Sequence, residues 1–160
     1  MKKLLLVTAI LSMVAVNCGS AEKKDAPVVS APSGDTVVDE INQKLLKLTA
    51  ADFAKGSKTL TSAQYDSWKK KNLSVLKEIS KSIPQGYVIT ITGHTCILGS
   101  EAINGSLSIE RAKFMKSKLS GEGINTKGIK TVGKSATELL SGEASDSSKN
   151  RRVVFSITKE

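Results

Sequence analysis

The sequence predicts an α+β domain, with helices packed on one face of a mixed four-stranded sheet in the order β-α-β-α-β-β. Three observations lead there. Segments 62–83 and 101–120 carry apolar residues at three- and four-residue steps, the period of a helix with one buried face. Short β-branched runs around them alternate apolar and polar residues, the period of a half-buried strand. Strands interleaved with helices then favour a layered sandwich.

The first element of the folded part is a lead-in helix over 37–49, where Val38, Ile41, Leu45 and Leu48 recur at helical spacing. Phe53 to Leu60 is the candidate first strand. Residues 62–83 follow as the clearest helix. Tyr65, Trp68, Val75, Leu76, Ile79 and Ile83 share a face, Thr61 or Ser62 caps the start, and Pro84 with Gly86 stops it. Tyr87–Thr92 alternates Ile89 and Ile91 against Thr90 and Thr92 and reads as a strand. A polar loop, Gly93–Ser100, leads into the second long helix, which is expected to bury Ile103, Leu107, Ala112, Met115 and Leu119 and to end at Gly121 and Gly123. Ile129–Val132 is a short strand, 133–150 a loop with a helical stretch around Ala136–Leu140, and Arg152–Thr158 the last strand. With only 4% aromatic residues among 160, the core rests mainly on Ile, Leu, Val and Ala.

The N-terminal part reads differently. Lys2 and Lys3 precede an apolar run, Leu4 to Val16. At roughly 13 residues this run falls short of the ~20 a membrane span needs, and it fits a secretory leader over residues 1–17. Ala15-Val16-Asn17-Cys18 resembles a bacterial lipobox, with Asn17 standing where Gly, Ala or Ser is usual. That resemblance implies a chain cut before Cys18, acylated on its sulfur, and held to a membrane by several acyl chains, an anchor stronger than one chain provides. Residues 18–36, with two prolines and many small residues, read as the lipidated cysteine and a flexible tether. The folded domain is expected over 50–160.

Apolar residues make up 39% of the chain and charged residues 24%, which excludes wholesale disorder. The formal charge is +9, and removal of Lys2 and Lys3 with the leader leaves +7. An exported chain with scattered lysines and no aromatic platform is not a nucleic-acid binder; the lysines read as solvated helix faces. Two cysteines, Cys18 and Cys96, make no disulfide framework when one carries lipid. A single histidine and one remaining thiol do not furnish a metal centre, and no cofactor is expected. His94 and Cys96 lie two residues apart at a strand end and could share a face. They lack any oxyanion device, so no catalytic group is assigned and the protein is not expected to be an enzyme.

The informative residues cluster after the second strand. Gly93-His94-Thr95-Cys96-Ile97-Leu98-Gly99 is followed by Asn104, Leu107, Ser108, Arg111 and Ala112, and later by Asn150-Arg151-Arg152-Val153. This set resembles the C-terminal domain of the OmpA family, shared with peptidoglycan-associated lipoproteins and flagellar stator proteins. The family pattern runs G-H-T-D-x-x-G, N-x-x-L-S-x-x-R-A, N-R-R-V, and every specified position but one is met. The resemblance implies a domain that binds the diaminopimelate-containing stem peptide of peptidoglycan. An Asp takes the ligand's ammonium and the Arg of L-S-x-x-R-A takes its carboxylate with a planar fork. Carried onto this chain, the ligand-binding positions are Cys96, Arg111, Thr95, Gly99, Asn104, Ser108, Arg151 and Arg152.

Cys96 is the departure, since it stands where the Asp belongs. Near pH 7 a thiol is mostly neutral and a carboxylate charged. A charge-assisted hydrogen bond contributes about 1.5–3 kcal/mol, so its loss weakens binding roughly ten- to a hundredfold. Two functions follow. One is an outer-membrane lipoprotein, facing the periplasm or the surface, that tethers membrane to wall by associating with peptidoglycan. The other is a surface or periplasmic lipoprotein whose altered site binds a protein or host partner instead.

Overall fold

The computed structural model describes residues 34–160. The expected leader, Cys18 and the tether as far as residue 33 lie outside the described residues. The elements are helices α1 (Gly34–Leu46), α2 (Ser62–Lys81) and α3 (Glu101–Gly121), and strands β1 (Tyr87–Gly93), β2 (Lys130–Gly133) and β3 (Val153–Lys159). Their order is α-α-β-α-β-β. A single 3-10 turn, Ser148–Asn150, precedes β3.

The sheet has three strands in the order β2-β1-β3, one fewer than expected. β1 runs parallel to β2, with Thr92 opposite Val132, and antiparallel to β3, with Ile89 opposite Ile157 and Ile91 opposite Phe155. The parallel pair needs a crossover, and α3 supplies it. The expected strand over 53–60 does not form. Ala50 and Val153 exchange backbone bonds of 2.9 and 2.7 Å, and Phe53 N–H reaches Arg151 O at 3.2 Å. Positive φ at Asp52, between the two contacts, and at Gly56 beyond them breaks the extended run. What reads as a strand in sequence is therefore a short pairing stub followed by irregular chain.

α2 begins with a reciprocal cap. Thr61 accepts from Gln64 N–H at 3.3 Å while the Gln64 side chain accepts from Thr61 N–H at 3.0 Å. Its buried face is Tyr65, Trp68, Leu76 and Ile79. Val75 lies off that stripe and is exposed. In α3 the buried positions are Asn104, Ser108, Arg111, Ala112, Met115 and Leu119. Ile103, expected inside, is 57% exposed. The reason is register: Asn104 and Ser108 take the stripe at the start of the helix, where the apolar residues were expected to lie.

α2 and α3 cover the sheet face that carries Ile89, Ile91, Val153, Phe155 and Ile157, all in one buried cluster with Trp68 and Met115. Trp68 stacks on Phe155 at 5.7 Å and donates to Leu48 O at 2.7 Å, tying α2 both to the sheet and to the segment after α1. Gly93 decides how closely α3 lies on β1. A Cβ there would fall 1.9 Å from Ser108 O, so only hydrogen fits. Gly133 is similar, with Ser108 Oγ 2.5 Å from the Cβ position. The helical stretch expected at 136–140 is a chain of turns instead. Thr137 Oγ donates to Lys134 O at 2.6 Å, and the buried Asn150 amide accepts from Leu140 N–H and donates to Ala144 O, both at 2.8 Å. Side chains have taken the backbone groups a helix would have used.

Candidate functional site

The loop after β1 is held by backbone bonds on several sides. Lys134 N–H donates to Gly93 O at 3.0 Å, His94 N–H to Arg152 O and Thr95 N–H to Ser135 O, both at 2.8 Å, and Ile97 N–H to Ser145 O at 3.1 Å. The loop that carries His94, Thr95 and Cys96 is thus fixed by the turns after β2 and by the entry to β3, and those three side chains are buried.

Arg111 projects from α3 beneath this loop and is 0% exposed. Its Nε donates to Ser57 O at 2.9 Å and its Nη1 to His94 O at 2.8 Å. Its guanidinium lies 5.2 Å from the centroid of the Phe53 ring. Burial and then the neighbouring Arg151 bring its pKa down to about 10, so the group remains charged at neutral pH. Arg151 arrives from the start of β3. Its Nε donates to Phe53 O at 2.6 Å and its Nη1 stands 3.9 Å from Cys96 Sγ. The structure therefore brings Cys96, Arg111 and Arg151 together, walled by the Phe53–Ser57 segment. Two guanidiniums and one thiol meet there, and among the described residues neither arginine forms an ion pair with a carboxylate.

The other expected positions divide. Gly99, at φ +100°, and Asn104 line a cavity of about 340 Å³ with Glu101, Ser135 and Thr137. Ser108 is turned into the fold: its Oγ donates to Gly105 O at 2.8 Å and accepts from Ser135 N–H at 3.1 Å. The Thr95 hydroxyl is buried with no partner among the described residues. Arg152 does not join Arg151. Successive residues entering a strand point to opposite faces, and Arg152 Nη2 donates to Glu138 O at 3.0 Å beside His94. His94 and Cys96 do not share a face either, since His94 neighbours Glu138 and Arg152 while Cys96 neighbours Arg151. Burial first, and then Arg152, lower the His94 pKa to about 4, so the ring is neutral at pH 7. Cys96 is a buried free thiol.

Sequence reasoning missed the carbonyl acceptors on Ser57 and Phe53, which no side-chain pattern encodes. It also gave no role to Asn150, although the motif contains it. A buried Asn between a serine-rich loop and an arginine pair was the available signal for a loop organiser.

Residues 52–152 match the model of the OmpA family. No curated protein matches the chain. Among solved structures, the peptidoglycan-associated lipoprotein from Burkholderia pseudomallei superposes with a TM-score of 0.57 at 24% identity, covering 76% of this chain and 98% of that one. The C-terminal domain of Helicobacter pylori MotB superposes with a TM-score of 0.55 at 15% identity, covering 70% and 84%. At these identities the two likenesses speak for the fold.

Proposed function

The chain belongs to the OmpA family, and on that premise we propose that it is an outer-membrane lipoprotein, anchored through Cys18, whose domain associates non-covalently with peptidoglycan. One observation carries the reading. Arg111 and Arg151, the arginines of two separate motifs, converge on the loop position where the family pattern has its ligand-binding residue. Two guanidiniums side by side form a strong receptor for a carboxylate, and the stem peptide is rich in carboxylates. Thr95, Gly99, Asn104 and Ser108 shape the loop and helix around them. The relative named for peptidoglycan association supports the same assignment.

A second reading is favoured by the missing carboxylate. With Cys96 in place of Asp, the ligand's ammonium meets two cations and no anion. A surface or periplasmic lipoprotein that binds a protein or host partner through this site suits that charge pattern.

Co-sedimentation of the full chain with purified sacculi distinguishes them. The natural protein is expected to pellet, and Arg151→Ala to pellet at least tenfold less. A natural protein that stays in the supernatant, or an Arg151→Ala variant that pellets equally, overturns the wall-binding reading.

A further inference from the structure

The sheet face turned away from α2 and α3 carries a second group of polar side chains. Alternation places Arg152 and Val154 on that face while Val153 and Phe155 enter the core. A cavity of about 490 Å³ opens there, with His94 and Arg152 in its floor and Glu138 and Lys149 at its rim. Leu46, Leu140 and Val154 add an apolar wall. This volume lies within the range of small-molecule sites.

Three buried atoms in this group have no hydrogen-bond partner among the described residues: Arg152 Nη1, His94 Nδ1 and His94 Nε2. His94 is 1% exposed and Arg152 7%. The bond from Arg152 Nη2 to Glu138 O holds the guanidinium in place and leaves Nη1 over. Glu138 does not satisfy the imidazole. Its carboxylate stands 3.9 Å from Nδ1, too far for a hydrogen bond, and is held at 3.0 Å by Lys134. Lys149 is likewise committed, to Glu143 at 2.6 Å. Arg152 makes no ion pair among the described residues. Buried donors without acceptors are costly and rare in folded proteins, and an acceptor brought by a ligand relieves that cost.

We propose that this cavity binds a small aliphatic carboxylate. On binding, the side chains at the rim open to admit the ligand, whose two oxygens then accept from Arg152 Nη1 and from the N–H of the neutral His94 ring. Its short hydrocarbon part lies against Leu46, Leu140 and Val154. A free short-chain carboxylate and the C-terminal alanine of a peptide present the same chemistry. This site lies on the opposite face from the Arg111–Arg151 pair, so it stands or falls independently of peptidoglycan binding there.

His94 is the only histidine in the chain, which makes it a selective reporter. The full chain, labelled with 15N-histidine, is titrated with butyrate and separately with N-acetylalanine while the imidazole signals are followed by NMR. Both ring nitrogens are expected to shift saturably with either carboxylate. Tighter binding of N-acetylalanine identifies a peptide terminus as the source, and tighter binding of butyrate a free acid. Arg152→Lys, which keeps the charge and loses the spare N–H, is expected to bind at least tenfold more weakly. Leu46 is half exposed, so Leu46→Glu places a repelling charge at the mouth. It is expected to weaken binding tenfold with thermal midpoint and sacculus pelleting unchanged. An imidazole signal that butyrate leaves in place, or that butanol shifts as well as butyrate does, overturns the proposal. Unaltered binding in Leu46→Glu does the same.

Discussion

Arg151 Nη1 stands 3.9 Å from the sulfur of Cys96, where the family pattern would give a guanidinium a carboxylate neighbour. The buried Arg111 is an electrostatic neighbour of both, so a ligand's ammonium would meet positive charge there. Cys96→Asp is expected to tighten binding of a diaminopimelate-containing muropeptide about ten- to a hundredfold, the effect of one charge-assisted hydrogen bond. Isothermal titration of natural and variant protein measures it. Equal affinities would mean that the two arginines have captured the new carboxylate for themselves.

Arg111 contributes to the fold as well as to the site. Arg111→Met leaves Ser57 O and His94 O without their donors and exchanges the stacked guanidinium over Phe53 for a thioether. A loss of about 3–6 kcal/mol is expected, from two hydrogen bonds to a charged group at about 1.5–3 kcal/mol each. Urea unfolding followed by Trp68 fluorescence measures it, and a midpoint equal to the natural protein's would show that these bonds do not hold the 53–57 segment.

Two glycines, one in β1 and one in α3, predict opposite signs. Gly93→Ala drives a methyl carbon to within 1.9 Å of Ser108 O and forces α3 off β1. It is expected to cost about 3 kcal/mol or more, the upper range for overpacking. Gly105 lies inside α3 with nothing near its Cβ position. Gly105→Ala is expected to stabilise by about 0.5–1 kcal/mol through helix propensity and unfolded-state entropy. Thermal melts of the pair test both, and a stable Gly93→Ala would contradict the packing described at that contact.

His94 sets a pH dependence. Its pKa falls from the usual 6.5 to about 4 on folding, because burial and Arg152 oppose the charged ring. Between those values the unfolded chain binds a proton that the native chain does not. Stability is therefore full above pH 6.5 and declines as pH falls through the window, by up to about 3 kcal/mol. Denaturant midpoints at pH 7 and pH 5, compared with those of His94→Gln, isolate this contribution. A variant with the same slope as the natural protein would assign the acid sensitivity to other groups.

The long helices and β1, β2 and β3 were legible because most of their apolar residues recur at helix or strand spacing and the helix ends carry Thr61, Pro84 or Gly123. Phe53–Leu60 was misread because Phe53 packs against Arg111 and Leu60 enters the core without the chain between them continuing a ladder. Positive φ at Asp52 was invisible because Asp, although enriched there among non-glycine residues, still adopts negative φ at most positions. In the site, the motif spacing named Arg111 and Arg151 correctly as neighbours of position 96. It could not tell which of two adjacent arginines faces which side, since that follows from where β3 begins. The His94–Arg152 group was hidden for the same reason, as its members come from two strand ends and one turn.

Asn42 in α1 has a consequence for crowding. Its side-chain amide accepts from Ile157 N–H at 2.7 Å and donates to Ile157 O at 3.4 Å, imitating a paired strand on the outer side of β3. Ala50 and Phe53 occupy the same side at Val153 and Arg151. Open strand edges recruit other strands, and proteins concentrated in a thin layer meet their own copies constantly. With its outer rim plugged at these three points, β3 offers a poor template for self-templated fibre growth, and the longer of the sheet's two edges is closed to a neighbouring copy.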